Sequence, residues 1–154
     1  MDQHRSAGTY ALEATGGLRA RVRGAAEAAY AHRFSSEGPG FALGLRFPSP
    51  DPDFADYQGG GLGFHLDSLP HPGTYAARPV GVTWPSGLRR QRTVAVTFMS
   101  SSGAHMWRPL GGEVRFARTP GSRDGLRGAF RLRIVRVQGG PPDTAAVEGT
   151  FETR

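Results

Sequence analysis

The chain predicts an all-β domain, an antiparallel two-sheet β-sandwich with a small β-barrel as the alternative arrangement. Three observations carry that expectation. The C-terminal third holds three runs with a period of two, Glu113–Arg118, Leu126–Val137 and Ala145–Thr153. Val114 and Phe116, then Phe130, Leu132 and Ile134, then Val147, Gly149 and Phe151 each share one parity, opposite arginines, glutamates and threonines, as a sheet with one dry and one wet face requires. Turn residues punctuate the runs at 119–125 and 139–143, where glycine reaches unusual backbone angles and proline offers no ladder donor. Finally, 23 glycines and 12 prolines in 154 residues, with only 38% hydrophobic residues, favour short strands and tight turns over long helices.

Taken in order, residues 1–8 carry no pattern and are expected as a loose leader, with a single domain over 9–154. Thr9–Leu12 forms a short strand, stopped near Gly16 and Gly17. Leu18, Ala20 and Val22 alternate with Arg19, Arg21 and Arg23, which reads as a strand. The alanine-rich segment that follows is ambiguous: alanine and glutamate permit one short helix near 25–33, yet no N-cap residue introduces it and two turns alone are marginal. A strand pairing back on Leu18–Arg23 is favoured. Phe41, Leu43, Leu45 and Phe47 share a face of the next strand, which ends at the prolines of 48–52. A long connection then leads to a strand at Leu62–Leu66. A turn containing Pro70 and Pro72 delivers Tyr75 to another strand, and further runs follow at Val80–Trp84 and Thr93–Phe98. His105–Arg108 is extended as far as Pro109, which argues for an early end or an edge. The total is nine or ten short strands, suited to two packed sheets or a closed barrel. Gly128 and Phe130, and again Gly149 and Phe151, form Gly-x-Phe recurrences that are too unevenly placed for a repeat.

Cysteine is absent, which excludes disulfides, thiol catalysis and cysteine-based metal centres while leaving the compartment open. The opening residues lack the apolar core of a secretory signal, and no transmembrane segment is expected. Periplasm or cell envelope would follow from a signal removed beforehand, and cytoplasm otherwise. The net charge is +6, and all 19 basic residues are arginine. Such uniform usage reads first as compositional bias and second as affinity for an anionic partner.

The candidate sites each have a plain structural reading beside the functional one. Arg19, Arg21, Arg23, Arg115, Arg131 and Arg133 fall on outward parity; gathered on one sheet they would grip carboxylates or phosphates in forked hydrogen bonds. Cross-strand pairing with Glu113, Glu148 and Glu152 accounts for the same residues without a ligand. Exposed aromatic platforms for nucleic acid are missing from that parity. Asp51, Asp53 and Asp56 crowd one loop as calcium ligands would, but without the glycine and distal glutamate of an EF-hand, so an ordinary acidic loop is preferred. His65, Asp67, His71 and His105 are candidate zinc ligands for a metal-assisted hydrolase, lacking any His-Glu-x-x-His pattern. Phe54 and Tyr57, joined by Trp84 and Trp107, would line a protein or carbohydrate contact or else close the ends of the core. Nucleotide-binding loops and a nucleophile elbow are absent from the sequence, and no cofactor is expected.

The turn from Leu69 to Tyr75, with Gly112–Phe116, Leu126–Phe130 and Val147–Phe151, resembles the Pro-Gly-x-Tyr, Gly-x-Val-x-Phe and Val-x-Gly-x-Phe elements of uncharacterised bacterial β-sandwich proteins of the cell envelope, often lipoproteins. That resemblance spans about half the chain. It implies a sandwich fold and peripheral envelope association, and supplies no catalytic residue; the lipid-bearing cysteine of such proteins is absent here. The expected function is a non-enzymatic protein-interaction or accessory subunit of a larger bacterial assembly. The alternatives are an arginine-faced module for nucleic acid or another acidic polymer, and the metal-assisted hydrolase.

Overall fold

In the computed structural model the described residues are 3–35, 38–47, 61–79, 92–99, 106–138 and 140–154. Among them are nine strands and no helix: β1 (Gln3–Gly16), β2 (Ala20–Ser35), β3 (Gly38–Arg46), β4 (Gly61–Leu66), β5 (Gly73–Pro79), β6 (Thr93–Met99), β7 (Met106–Arg118), β8 (Leu126–Gln138) and β9 (Thr144–Thr153). They close into one barrel in the order β1-β2-β3-β4-β6-β5-β7-β8-β9. Every neighbouring pair is antiparallel except β5 and β6, which run parallel.

The all-β expectation holds, and the two-sheet sandwich, including the one implied by the family resemblance, is corrected to the barrel. The period of two tells each side chain whether to face in or out, and it is the same in both architectures. What separates them is the pairing of the first strand with the last: β1 bonds to β2 over Gln3–Ala14 and to β9 over Gly8–Gly16. Residues 3–8, expected as part of a loose leader, therefore belong to β1. Their backbone groups are held by the ladder although their side chains carry little apolar signal. Residues 25–33 lie in β2, as the favoured reading had it, because β1 and β3 flank both its edges. Pro109 does not end its strand. β7 continues through a register shift between Pro109 and Gly111, where Gly111 and Gly112 adopt φ of 157° and 146° that a side chain would resist. The Val80–Trp84 run lies outside the described residues.

The inward parity fills the barrel with side chains. Leu43, Phe64, Leu66, Val94, Val114, Leu132, Ile134 and Val147 are fully buried. Phe116 is the hub of an aromatic cluster, with ring centroids 6.1 Å from Phe41, 5.5 Å from Tyr75 and 6.0 Å from Phe151, within the range of favourable edge contacts. At one end a buried polar knot ties the termini together. Thr153 Oγ1 accepts the Leu126 amide at 3.0 Å and shares a 2.7 Å bond with Ser6, while Thr119 Oγ1 donates to the Thr153 carbonyl at 2.8 Å.

The two Gly-x-Phe recurrences turn out to be partners. In the β8–β9 register Gly128 faces Phe151, and Phe130 faces Gly149. Each ring thus lies over the other strand's glycine, leaving no room for a Cβ: one added at Gly149 would meet the Phe130 ring and the Ala11 carbonyl oxygen, both at 2.5 Å. At Gly128 it would strike the Arg115 carbonyl and crowd Phe151. Such glycines let long strands coil tightly enough to close a barrel, and an aromatic ring covers the gap they leave.

Candidate anion-binding face

Closure decides where the outward side chains go. On the outside of β2, β1, β9, β8 and β7, five strands consecutive around the barrel, the register lines them up in rows. One row is Arg21, Glu13, Glu148, Arg131 and Glu113; the next is Arg23, Ala11, Thr150, Ala129 and Arg115; a third is Ala25, Thr9, Glu152, Arg127 and Ala117. The middle row begins and ends on an arginine, holds no carboxylate, and has a floor of small side chains. It is shared by two adjoining open depressions, of about 820 Å³ on the Thr9 and Arg127 side and about 1260 Å³ on the Glu13 and Arg131 side.

The carboxylates around this trough are largely occupied. Glu148 accepts from Arg131 at 2.9 Å, Glu13 stands 3.7 Å from Arg21, and Glu152 turns to the terminal Arg154 at 3.2 Å. These exposed pairs contribute little to stability. Their consequence is for the remaining cations: Arg23, Arg115, Arg127 and Arg133 are exposed and have no carboxylate within ion-pair distance among the described residues. A guanidinium so placed is available to a carboxylate from outside, in a planar two-bond fork.

Of the six arginines picked out by parity, Arg21, Arg23, Arg115, Arg131 and Arg133 fall on this one face, two of them spent in ion pairs. Arg19 lies in the turn between β1 and β2, at its margin. Arg127 was missed, although it shares the parity of Arg131 and Arg133; it stands beyond Gly128, at the start of its strand. Thr9, Ala11, Ala129 and Thr150 were also missed, because a smooth floor has no chemical signature until its neighbours are known.

The other candidates do not gather. His65 faces outward on β4, bonded to Thr97 Oγ1 at 3.1 Å, and burial holds its pKa below the ordinary 6.5. His71 lies in the connection before β5, its amide donating to the Tyr75 hydroxyl at 2.9 Å. Asp67 follows β4. Among the described residues no three His, Asp or Glu side chains come together as metal ligands. Asp51, Asp53, Asp56, Phe54, Tyr57, Trp84 and His105 lie outside the described residues. Trp107 is in the core, 1% exposed, with the Arg136 guanidinium 4.9 Å from its ring centre, so it closes the barrel and is not part of a contact surface. Among the described residues no helix is long and apolar enough to cross a membrane.

No family model, curated protein or solved structure matches the chain.

Proposed function

We propose that the barrel is a non-enzymatic protein-interaction module that docks an acidic surface of another protein on the outer face of β2, β1, β9, β8 and β7. The observation that carries this reading is the middle row of that face, where Arg23 and Arg115 flank Ala11, Thr150 and Ala129 with no carboxylate between them. Charged groups on a rigid sheet, without an ion-pair partner among the described residues and beside a small-residue floor, give a partner both steering and close approach. Among the described residues the inward side chains, Phe116 and its neighbours among them, pack against one another in the barrel interior.

A uniformly charged polymer is disfavoured by the neighbouring rows, where Glu13, Glu113, Glu148 and Glu152 would lie against it. Leu110 and Val137 are the only exposed large hydrophobic residues among those described, so the face also lacks platforms for stacking bases. Membership of a bacterial assembly at the cell envelope rests on the sequence resemblance alone.

The test is crosslinking and mass spectrometry from native lysate, run in parallel on the unaltered protein and on Arg23→Glu/Arg115→Glu. A specific acidic partner that crosslinks to residues of β1, β8 or β9 in the first sample and is lost in the second is the expected result. Equal recovery by both proteins overturns the reading.

A further inference from the structure

Resting on that reading, we propose that the occupant of the face is an extended acidic segment lying across the strands, with two carboxylates about six residues apart and small uncharged residues between them. The spacing follows from the register. Arg23 and Arg115 stand in one row on β2 and β7, separated by β1, β9 and β8. Four strand-to-strand steps of about 4.8 Å separate their backbone positions by about 19 Å measured along the curved barrel wall, a path that an extended chain following the wall and rising about 3.3 Å per residue covers in about six residues.

The residues between the two arginines set the rest of the pattern. Ala11, Thr150 and Ala129 leave room for backbone and small side chains, and Thr150, which is exposed, can hydrogen-bond a passing amide. The centre of the row is uncharged, and the arginines nearest to it in the flanking row, Arg131 and Arg21, already hold Glu148 and Glu13, so a carboxylate midway along the segment would lose water without gaining a cation. Acidic residues are therefore accepted at the ends and rejected in the centre. On the other flank Arg127 has no carboxylate partner among the described residues while Glu152 is turned toward Arg154, which extends the positive end of the trough beside Arg115. The result discriminates by charge spacing, combining attraction at two points with an uncompensated desolvation penalty for a charge between them.

Fluorescence polarisation with the full chain and short labelled peptides tests this. The peptides carry two aspartates about three, about six or about nine positions apart on a Gly, Ser and Thr background; further probes are a peptide with the about-six spacing and a central aspartate, its asparagine counterpart, and a single-stranded oligonucleotide. Tightest binding at the about-six spacing is expected, weakened about tenfold by Arg23→Gln or by Arg115→Gln, as loss of one charge-assisted pair implies. The central aspartate should weaken it as well. These arginines are exposed, so both variants should keep the parent melting temperature. If all spacings bind alike, or the two variants bind as the parent does, the proposed segment is wrong, while the docking face stands provided the lysate partner still depends on Arg23 and Arg115. If the oligonucleotide binds more tightly than every peptide, in a salt-steep manner that needs the same arginines, the occupant is a polyanion and both proposals fall.

Discussion

Replacing Gly149 by alanine adds a single methyl group at a position where the structure has no space for one. Its Cβ would sit 2.5 Å from the Ala11 carbonyl oxygen, 2.5 Å from the Phe130 ring and 2.9 Å from the Leu12 side chain. Two strands and an aromatic ring must all yield, and overpacking of this kind costs about 1–3 kcal/mol. For a domain of this size a loss of 1 kcal/mol lowers Tm by about 2–4 °C, so Gly149→Ala should melt about 2–12 °C below the parent. Thermal unfolding followed by far-UV circular dichroism reads this directly. Thr150→Ala, on the outward parity of the same strand, is the control and should stay within about 0.5 kcal/mol. A cycle with Phe130→Leu separates the two sources of crowding: shortening the ring relieves its share and leaves the carbonyl contact with β1. The double variant should therefore be more stable than the sum of the single losses by about 0.5 kcal/mol or more. If Gly149→Ala melts with Thr150→Ala, or the cycle closes additively, glycine is not what lets β8 and β9 coil under Phe130.

Two further outcomes follow from buried polar groups. Thr153→Val keeps the shape of the side chain but strips the partner from the Leu126 amide and from Ser6, which should cost about 1–3 kcal/mol in a urea titration with unchanged slope. His65 has its pKa lowered from 6.5 by burial, so it binds its proton more readily in the unfolded chain. The stability it preserves is complete above pH 6.5, falls as the pH drops below 6.5 toward the folded value, and levels off beyond it. His65→Gln should flatten that part of the curve measured by urea titration at a series of pH values, and an unchanged slope would place its origin elsewhere.

The strand parities were legible because each inward residue announces itself: Phe41, Leu43, Leu45 and Phe47, or Val94, Val96 and Phe98, admit only one orientation toward an apolar interior. Closure was not, since the pairing of β1 with β9 joins residues near opposite ends of the chain and leaves no local mark. Residues 3–8 have a different explanation, since their strand depends on pairing with Ala26–Ala31 of β2, and only Gly8 among them also pairs with β9. The Gly-x-Phe recurrences show the limit sharply. Their local meaning, an alternating strand, could be read from spacing, whereas their reciprocal stacking depends on the register of β8 against β9. Outward arginines could be assigned by parity, but which of them remain free depended on where Glu13, Glu148 and Glu152 found partners.

Closure also changes what kind of recognition the protein can offer. A sandwich has edge strands, and a partner can be captured by adding a strand to them. In this barrel every described strand has a neighbour on each side, and from Gly8 to Ala14 β1 is paired with both β2 and β9, so over that stretch backbone pairing with an outside chain would require opening the barrel. Where both sides of a strand are paired, the recognition proposed above falls to side chains on the outer face. Side-chain recognition on a ladder is quantised: positions along a row differ by one strand spacing of about 4.8 Å, and positions along a strand by two residues. Placing cations at the two ends of a row and small residues between them specifies a distance as well as a charge, which an edge strand reading backbone alone cannot do. In the proposed docking Arg23 and Arg115 would carry that specification, because β2 and β7 are held four steps apart by the pairings among β1, β9 and β8. On that proposal the glycines that let those strands coil would serve the face as well as the core.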